Sequence, residues 1–146
     1  MARSFAGGVS TDNILTSAYA GTAARTISLW FYLNGVDTTA RRFWNWADGA
    51  NSNDICFITS TIVNFGVGWT TTNGAWDATP VPSTGAWHNL VITYAGSATT
   101  DDPVIYIDNS VLSIAETATP NGTIEAPSFA QTIGNRPGND RAFNGL

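Results

Sequence analysis

Trp87-His-Asn-Leu-Val-Ile-Thr-Tyr94 alternates between two classes of side chain, and Val104-Ile-Tyr-Ile-Asp-Asn-Ser-Val-Leu112 follows it after a short break. A third segment, Ile133-Gly-Asn-Arg-Pro-Gly-Asn-Asp-Arg-Ala-Phe-Asn-Gly-Leu146, is a polar loop that leads into one more strand. A period of two is the pattern of a half-buried β-strand. Asp108 and Asn109 both tolerate positive φ, which predicts a tight hairpin. The three segments together predict antiparallel β structure.

The same period recurs nearer the N-terminus. Residues 25–33 place Ile27, Leu29, Phe31 and Leu33 on one face, and Thr26, Ser28, Trp30 and Tyr32 on the other. The second face is amphipathic, which is typical of a shallow groove on a two-sheet sandwich. Further strands are predicted at residues 2–6, 42–46, 54–60, 62–68, 87–94, 104–108, 111–114, 131–134 and 142–146. Turn residues separate them at roughly ten-residue intervals, the spacing of a sandwich or jelly roll. A short turn near residues 18–24 is the only helical candidate.

Composition and charge narrow the class of protein. The 146 residues suit one domain with its own core, and 43% hydrophobic against 12% charged residues favours β structure. The six basic residues are all arginines and face eleven acids, which gives a net charge of −5. This balance argues against nucleic acid and against an anionic membrane as partners. The lone cysteine, Cys56, is predicted to be a core residue.

The order and spacing of residues 87–94, 105–109 and 133–136 resemble the laminin-G-like branch of the concanavalin A-like lectin/glucanase superfamily. Ser4-Phe-Ala-Gly-Gly8 and residues 26–32 are similar to that family's first strands, so the resemblance spans nearly the whole chain. It implies an all-β fold, a two-sheet antiparallel jelly-roll sandwich, with residues 1–146 as a single domain. The fold hosts lectins, hydrolases, adhesion modules and virion parts, so it does not by itself imply a function.

One departure from the family concerns the end of the sequence. The family usually continues past Phe-Asn-Gly with a further apolar and acidic strand that pairs with the first strand, whereas this sequence ends at Leu146. We therefore expect the domain to lack its last strand, because either the natural chain is longer or another molecule contributes the strand. We also expect an exposed sheet edge at residues 142–146, beside the first strand.

Catalytic chemistry is not predicted. Glucan-cleaving relatives carry two or three carboxylates alternating on one strand, whereas the only glutamates here, Glu116 and Glu125, lie in a Thr/Pro-rich region. A nucleophilic triad would need the only histidine, His88, whose place at the start of a strand indicates a structural hydrogen bond. We therefore expect a non-catalytic protein that requires no cofactor.

Aromatic residues near Asn/Asp/Gly-rich loops predict a glycan site, because sugars stack on aromatic faces while amides and carboxylates bind their hydroxyls. The predicted glycan ligands are Trp44, Trp46, Asp48, Trp69, Trp76, Asn135 and Arg136. Core packing is the competing interpretation and the commoner one for tryptophans in sandwiches. Trp30 and Trp87 are predicted to lie in the core.

Calcium is the one metal that the sequence suggests, because hard oxygen ligands need no local motif and relatives often bind it in loops. The predicted ligands are Asp48, Asn53, Asp54, Asn139 and Asp140. Asx-turns are the favoured alternative for these residues.

Two functions stay open. The first is a structural or binding module of a virus particle, such as a phage-like capsid decoration, tail or fibre component. It would contact other virion proteins or copies of itself, and glycans are a further expected partner. This interpretation follows from a start at Met1 without a secretion signal in a fold that usually works outside cells. The second is a secreted or cell-surface carbohydrate-binding lectin, with calcium as its candidate cofactor.

Overall fold

The computed structural model describes residues 4–8, 14–15, 24–47, 52–126 and 130–146. Within these ranges every regular element is a strand, and there is no helix that could cross a membrane. The strands are β1 (Phe5–Gly8), β2 (Ile14–Leu15), β3 (Arg25–Tyr32), β4 (Arg41–Ala47), β5 (Ser52–Ile58), β6 (Val63–Val67), β7 (Gly74–Thr79), β8 (Trp87–Tyr94), β9 (Val104–Ile107), β10 (Ser110–Val111), β11 (Ser113–Ala118), β12 (Thr132–Ile133) and β13 (Ala142–Gly145). The predicted all-β class is confirmed, while the predicted turn near residues 18–24 lies almost wholly outside the described residues.

Two antiparallel sheets form the layers of a sandwich. One has the order β10-β9-β8-β3 and the other has the order β11-β7-β6-β5-β4-β12-β2. Aromatic rings from the two sheets meet between them: the centroids of Phe31 and Phe43 lie 4.8 Å apart, and those of Phe65 and Tyr94 lie 5.8 Å apart. The predicted two-sheet sandwich is therefore confirmed.

Strands β3 and β8 pair along their whole length, from Arg25 opposite Tyr94 to Tyr32 opposite Trp87. Their side chains alternate between the core and the outer face, because successive residues of a strand point to opposite sides. The hairpin between β9 and β10 turns at Asp108 and Asn109, whose φ values are 50° and 64°. The alternation and the hairpin that the sequence predicted are both confirmed.

Two consecutive side chains of strand β4 enter the core for a local reason. Its register against β5 shifts between Arg42 and Trp44, so Phe43 has no partner there and forms a β-bulge. A bulge lets consecutive side chains point to the same side, and both Phe43 and Trp44 join the core cluster. Cys56, opposite Trp44, is fully buried, which confirms it as a core residue; burial raises the pKa of its thiol.

The expectation of an open edge at residues 142–146 is wrong. Strand β13 pairs with β1 along one edge, with Phe5 opposite Gly145. Along its other edge, the Tyr32 and Leu146 backbones exchange hydrogen bonds of 2.9 and 3.0 Å. The chain's own residues therefore occupy both edges of β13, and the Phe-Asn-Gly segment itself pairs with the first strand.

Candidate functional site

The outer face of the four-stranded sheet carries aromatic side chains that the core does not bury. Trp30 is 69% exposed and Trp87 is 47% exposed. The Tyr32 ring meets the Trp87 ring edge to face, with centroids 5.7 Å apart. Asn89 is the cross-strand neighbour of Trp30. We call Trp30, Tyr32, Trp87 and Asn89 the aromatic platform.

Backbone and side-chain contacts hold the Asn89 amide in place. Its Nδ2 donates to the Leu29 carbonyl oxygen at 3.1 Å and lies 3.5 Å from the Ser28 hydroxyl. Its backbone N–H donates to Asp108 Oδ1 at 2.8 Å. The amide and the two indole rings therefore stand on two strands that pair along their whole length, which limits the entropy that ligand binding would cost.

A hollow of about 450 Å³ opens at the other end of the same sheet, which we call the Arg25 hollow. Arg25, Thr26, Thr93, Asp102 and Val104 are among its lining residues. Thr26, Thr93 and Val104 also belong to the outer face. Thr93 lies directly opposite Thr26 on one side and opposite Val104 on the other, and directly opposite residues share a face. The platform and the Arg25 hollow are thus two ends of one continuous surface.

The guanidinium of the Arg25 hollow already has a carboxyl partner within the protein. Arg25 Nη2 lies 2.7 Å from Asp54 Oδ2, and the side chains are only 8% and 3% exposed. The guanidinium also lies 5.5 Å from the centre of the Tyr94 ring. Burial raises the pKa of the Asp54 carboxyl to about 7, against the opposing effect of Arg25 and of a hydrogen bond from the Gly68 backbone.

The tryptophans predicted to bind glycan lie in the core. Trp44, Trp46, Trp69 and Trp76 are 2%, 8%, 5% and 0% exposed, so none of their ring faces is open to a sugar. Trp76 packs against Phe65 and Tyr94, and its indole N–H donates to Asp102 Oδ1 at 2.7 Å. The bulge in β4 precedes the two buried tryptophans of that strand, Trp44 and Trp46, while the pairing of β6 with β7 places Trp76 beside Phe65.

Asn135 and Arg136 organise the loop between β12 and β13 rather than offering groups to a ligand. Asn135 is fully buried, and its Oδ1 accepts the Arg136 and Arg141 N–H groups at 2.9 and 3.1 Å. Arg136 makes a two-point ion pair with Asp140, at 2.6 Å for each contact. The Arg136 guanidinium holds the pKa of the Asp140 carboxyl at about 2.

The predicted calcium ligands do not meet in one place. Asp54 pairs with Trp46 across β4 and β5, whereas the loop that carries Asn139 and Asp140 bonds to the other end of β4 at Arg42. Four residues of strand separate these points, about 13 Å at roughly 3.3 Å per residue. Asn139 has a φ of 55°, a left-handed turn conformation that asparagine tolerates.

The two remaining predicted calcium ligands are Asp48 and Asn53. Asp48 lies outside the described residues, and for Asn53 the structure describes only the backbone of β5. No group of three or more His, Cys, Asp or Glu side chains that could hold a metal occurs in the part of the chain that the structure describes.

His88 serves as a structural link, as the sequence predicted. Its Nδ1 lies 2.6 Å from Asp108 Oδ2, and its Nε2 lies 2.9 Å from the Ser83 carbonyl oxygen. A carbonyl oxygen only accepts hydrogen bonds, so Nε2 must carry a proton. That nitrogen therefore cannot take a proton from the Ser83 hydroxyl, although Oγ is 3.4 Å away.

The exposure of Trp30 and Trp87 reverses the prediction that both lie in the core. The two-residue alternation already indicates the outer face for Trp30, because Trp30 shares a face with Thr26 and Ser28. In β8, Leu90 and Ile92 mark the even-numbered positions as core, which places Trp87 on the outer face. The general preference of tryptophan for cores is therefore misleading here, whereas the local period identifies the outer face.

A family model of the concanavalin A-like lectin/glucanases superfamily, laminin-G type, matches residues 6–146. The chain belongs to this superfamily. The laminin-G-like resemblance noted in the sequence is therefore confirmed.

Two solved structures show the same superfamily fold. Domains LG4-5 of the mouse laminin alpha1 chain have a TM-score of 0.65 at 15% identity, and the match covers 98% of this chain but 36% of the laminin chain. The CBM40 domain of the Ruminococcus gnavus IT-sialidase, bound to alpha2,3 sialyllactose, has a TM-score of 0.58 at 9% identity, over 95% of this chain and 87% of that one. At these identities the likeness shows the fold alone. No curated protein sequence matches this chain.

Proposed function

We propose that this superfamily member is a carbohydrate-binding module whose glycan lies along the aromatic platform. The observation that carries the proposal is the exposure of Trp30 and Trp87, at 69% and 47%, on one face of an ordered sheet. Large exposed aromatic surface is uncommon on a protein without a ligand or partner for it.

The chemistry of the platform suits sugars. Indole and phenol rings offer apolar faces on which the C–H face of a pyranose can stack, and the Asn89 amide oxygen adds a positioned acceptor. The Thr26 and Thr93 hydroxyls continue the polar lining towards the Arg25 hollow. A glycan of several sugar units could therefore contact both ends of the face. The CBM40 domain supports this proposal at the level of fold, because its structure holds a sialylated sugar.

Binding should need neither calcium nor hydrolytic chemistry. Asp54 and Asp140 already pair with Arg25 and Arg136, so their oxygens have cationic partners within the protein. Glu116 is exposed on β11 in the other sheet, far in the topology from the platform. We therefore expect binding to persist in a chelator and bound glycan to be recovered intact.

A glycan array followed by calorimetry on the strongest hit tests the proposal. Trp87→Ala should weaken binding at least about tenfold, equivalent to about 1.4 kcal/mol, because it removes one stacking face. Leu15→Ala is the matched control, since Leu15 is equally apolar and 68% exposed but lies on the other sheet. Equal losses in both variants, or no binding by the unmodified protein, would contradict the proposal.

The virion role remains a prediction from the sequence, and so do contacts with other virion proteins or copies of this chain. Glycan binding suits either a virion fibre or a secreted lectin, since both meet cell-surface sugars. Co-purification of the protein with intact virus particles would support the first location. Recovery only in the soluble secreted fraction would support the second.

A further inference from the structure

We infer that the aromatic platform and the Arg25 hollow select neutral glycans over glycans that bear carboxylate or sulfate groups. This inference rests on the proposed function and names the ligand class of that same surface. It is carried by the placement of charged side chains around the face.

The outer face of the four-stranded sheet is uncharged between its ends. Along β3 and β8, the outward positions alternate with the core positions and pair across the strands. The face consists of Thr26, Ser28, Trp30, Tyr32, Trp87, Asn89, Val91, Thr93, Val104, Tyr106 and Val111. None of these residues can form an ion pair with an acidic sugar.

The cations of the described chain are engaged elsewhere. Arg25, the one arginine that lines the Arg25 hollow, is nearly buried and paired with Asp54. Arg41 and Arg42 lie on β4, in the other sheet. Arg136 and Arg141 lie in the loop between β12 and β13, where both approach Asp140. His88 is 6% exposed and faces acceptors at both ring nitrogens.

Carboxylates stand at both ends of the same face. Asp108 lies beside Asn89 at the platform end, with its side chain 48% exposed. The hydrogen bond from His88, with one from the Asn89 backbone, lowers the pKa of the Asp108 carboxyl. Asp102 lines the Arg25 hollow at the other end, and Asp101 precedes it in the loop. Three hydrogen bonds of 2.7 to 2.9 Å from Ser97 and Ala98 hold Asp101 as an acceptor.

An acidic sugar on this face would therefore meet negative charge at either end and no free described cation between them. Like charges in apposition disfavour a partner and so provide specificity, while hydroxyl groups of a neutral sugar meet no such repulsion. Neutral-glycan binding should also depend little on salt, because it neutralises no charge.

Matched glycan pairs test the inference. Lactose and α2,3-sialyllactose form one pair, and methyl-esterified and free galacturonan oligomers form a second. The neutral member should bind at least about tenfold more tightly in each pair that binds, with the difference shrinking at high salt. Asp102→Asn should strengthen binding of the acidic member relative to the neutral member and so narrow the preference. Glu116→Gln, which removes an exposed charge on the other sheet, is the matched control.

The outcomes separate this inference from the proposed function. Acidic members that bind as well as or better than neutral ones would overturn the charge argument and leave carbohydrate binding standing. No change in Asp102→Asn would also count against it, since the variant keeps an oxygen acceptor for the Trp76 indole N–H. Absence of binding to every glycan on the array would remove the proposed function and the inference together.

Discussion

The six tryptophans divide between two regions of the sandwich. Four lie between the sheets at 8% exposure or less, while Trp30 and Trp87 lie on the outer face at 69% and 47%. All six are in or beside strands. Residue type therefore does not separate a core ring from a candidate ligand-binding ring here.

The two regions differ in what covers them. Trp76 packs beside Phe65 of the neighbouring strand and against Tyr94 of the opposite sheet, and its one polar atom has a partner in Asp102. Trp30 stands on the outer face of the four-stranded sheet, where 69% of it stays exposed. The first arrangement contributes free energy to folding, whereas the second leaves that free energy available for binding.

The strongest test of this contrast is a pair of tryptophan truncations. Trp76→Ala should lower the free energy of unfolding by about 3–5 kcal/mol, because it removes a fully buried ring and leaves a cavity. Trp30→Ala should change it by less than about 0.5 kcal/mol, as for an exposed site. Urea denaturation measures both changes, with the two variants compared at the same dependence of unfolding free energy on urea concentration. Trp76→Phe keeps most of the buried ring if the alanine variant does not fold, and comparable losses at positions 76 and 30 would contradict the contrast.

Two glycines with the same backbone conformation provide a second test. Gly134 has a φ of 79° and lies against Phe5, so a Cβ there would come within 2.1 Å of the ring. Gly85 has a φ of 78° near the outer face, with nothing within 4 Å of such a Cβ. Both alanine variants should lose about 1–2 kcal/mol for the left-handed backbone.

Gly134→Ala should lose about 1–3 kcal/mol more than Gly85→Ala, because its methyl overpacks the region between β1 and the loop after β12. Thermal denaturation of the two variants in parallel measures the difference. Equal shifts in Tm would show that the loop near Phe5 yields easily, which would place it outside the rigid core.

The smallest expected effect concerns pH at the edge of the platform. The pKa of Asp108 is lowered from 3.8 by the hydrogen bonds from His88 and Asn89. The ionised carboxylate therefore stabilises the fold above pH 3.8, and this contribution disappears as the pH falls through the lower folded-state pKa. Because Asp108 is half exposed, the contribution should stay below about 1 kcal/mol.

Urea midpoints at pH 7 and pH 3 isolate this contribution. Asp108→Asn should show a smaller loss between the two pH values than the unmodified protein does, since it has no carboxyl to protonate. Asp37→Asn is a comparison at a second site, away from the platform, where the hydrogen bond from Arg41 lowers the carboxyl pKa; it should also reduce the loss between the two pH values. An unchanged loss in Asp108→Asn would remove the His88–Asp108 contact as a stabilising link.

Most strands can be predicted from the sequence, because a two-residue period marks them locally. Residues 87–94 were predicted with the observed bounds, and the Asp108–Asn109 turn has the positive φ values that those residues tolerate. The sequence does not predict strand β7, because Gly74-Ala-Trp-Asp-Ala-Thr79 contains residues with low β-propensity. It is a strand because β6 and β11 pair with it on either side.

The candidate site was less predictable than the fold. The chemistry and loop or strand-end positions of Asp54, Arg136 and Asp140 suggest ligand-binding residues. Each of them, however, is paired with an opposite charge, which lies on another strand for Asp54 and four residues away for the Arg136–Asp140 pair. The bulge at Phe43 changes which side the following residues face, and no local pattern marks it. These contacts arise only when distant segments meet.

By itself, the sequence determined the all-β class, the superfamily, the hairpin at Asp108 and the two faces of β3 and β8. Those features depend on a two-residue period and on turn chemistry, both of which are local. Only the tertiary structure decided which tryptophans are buried and where Arg25 finds its partner. Burial and ion pairing depend on which face of a strand a second sheet covers. That second sheet is built from strands that are far away in the sequence.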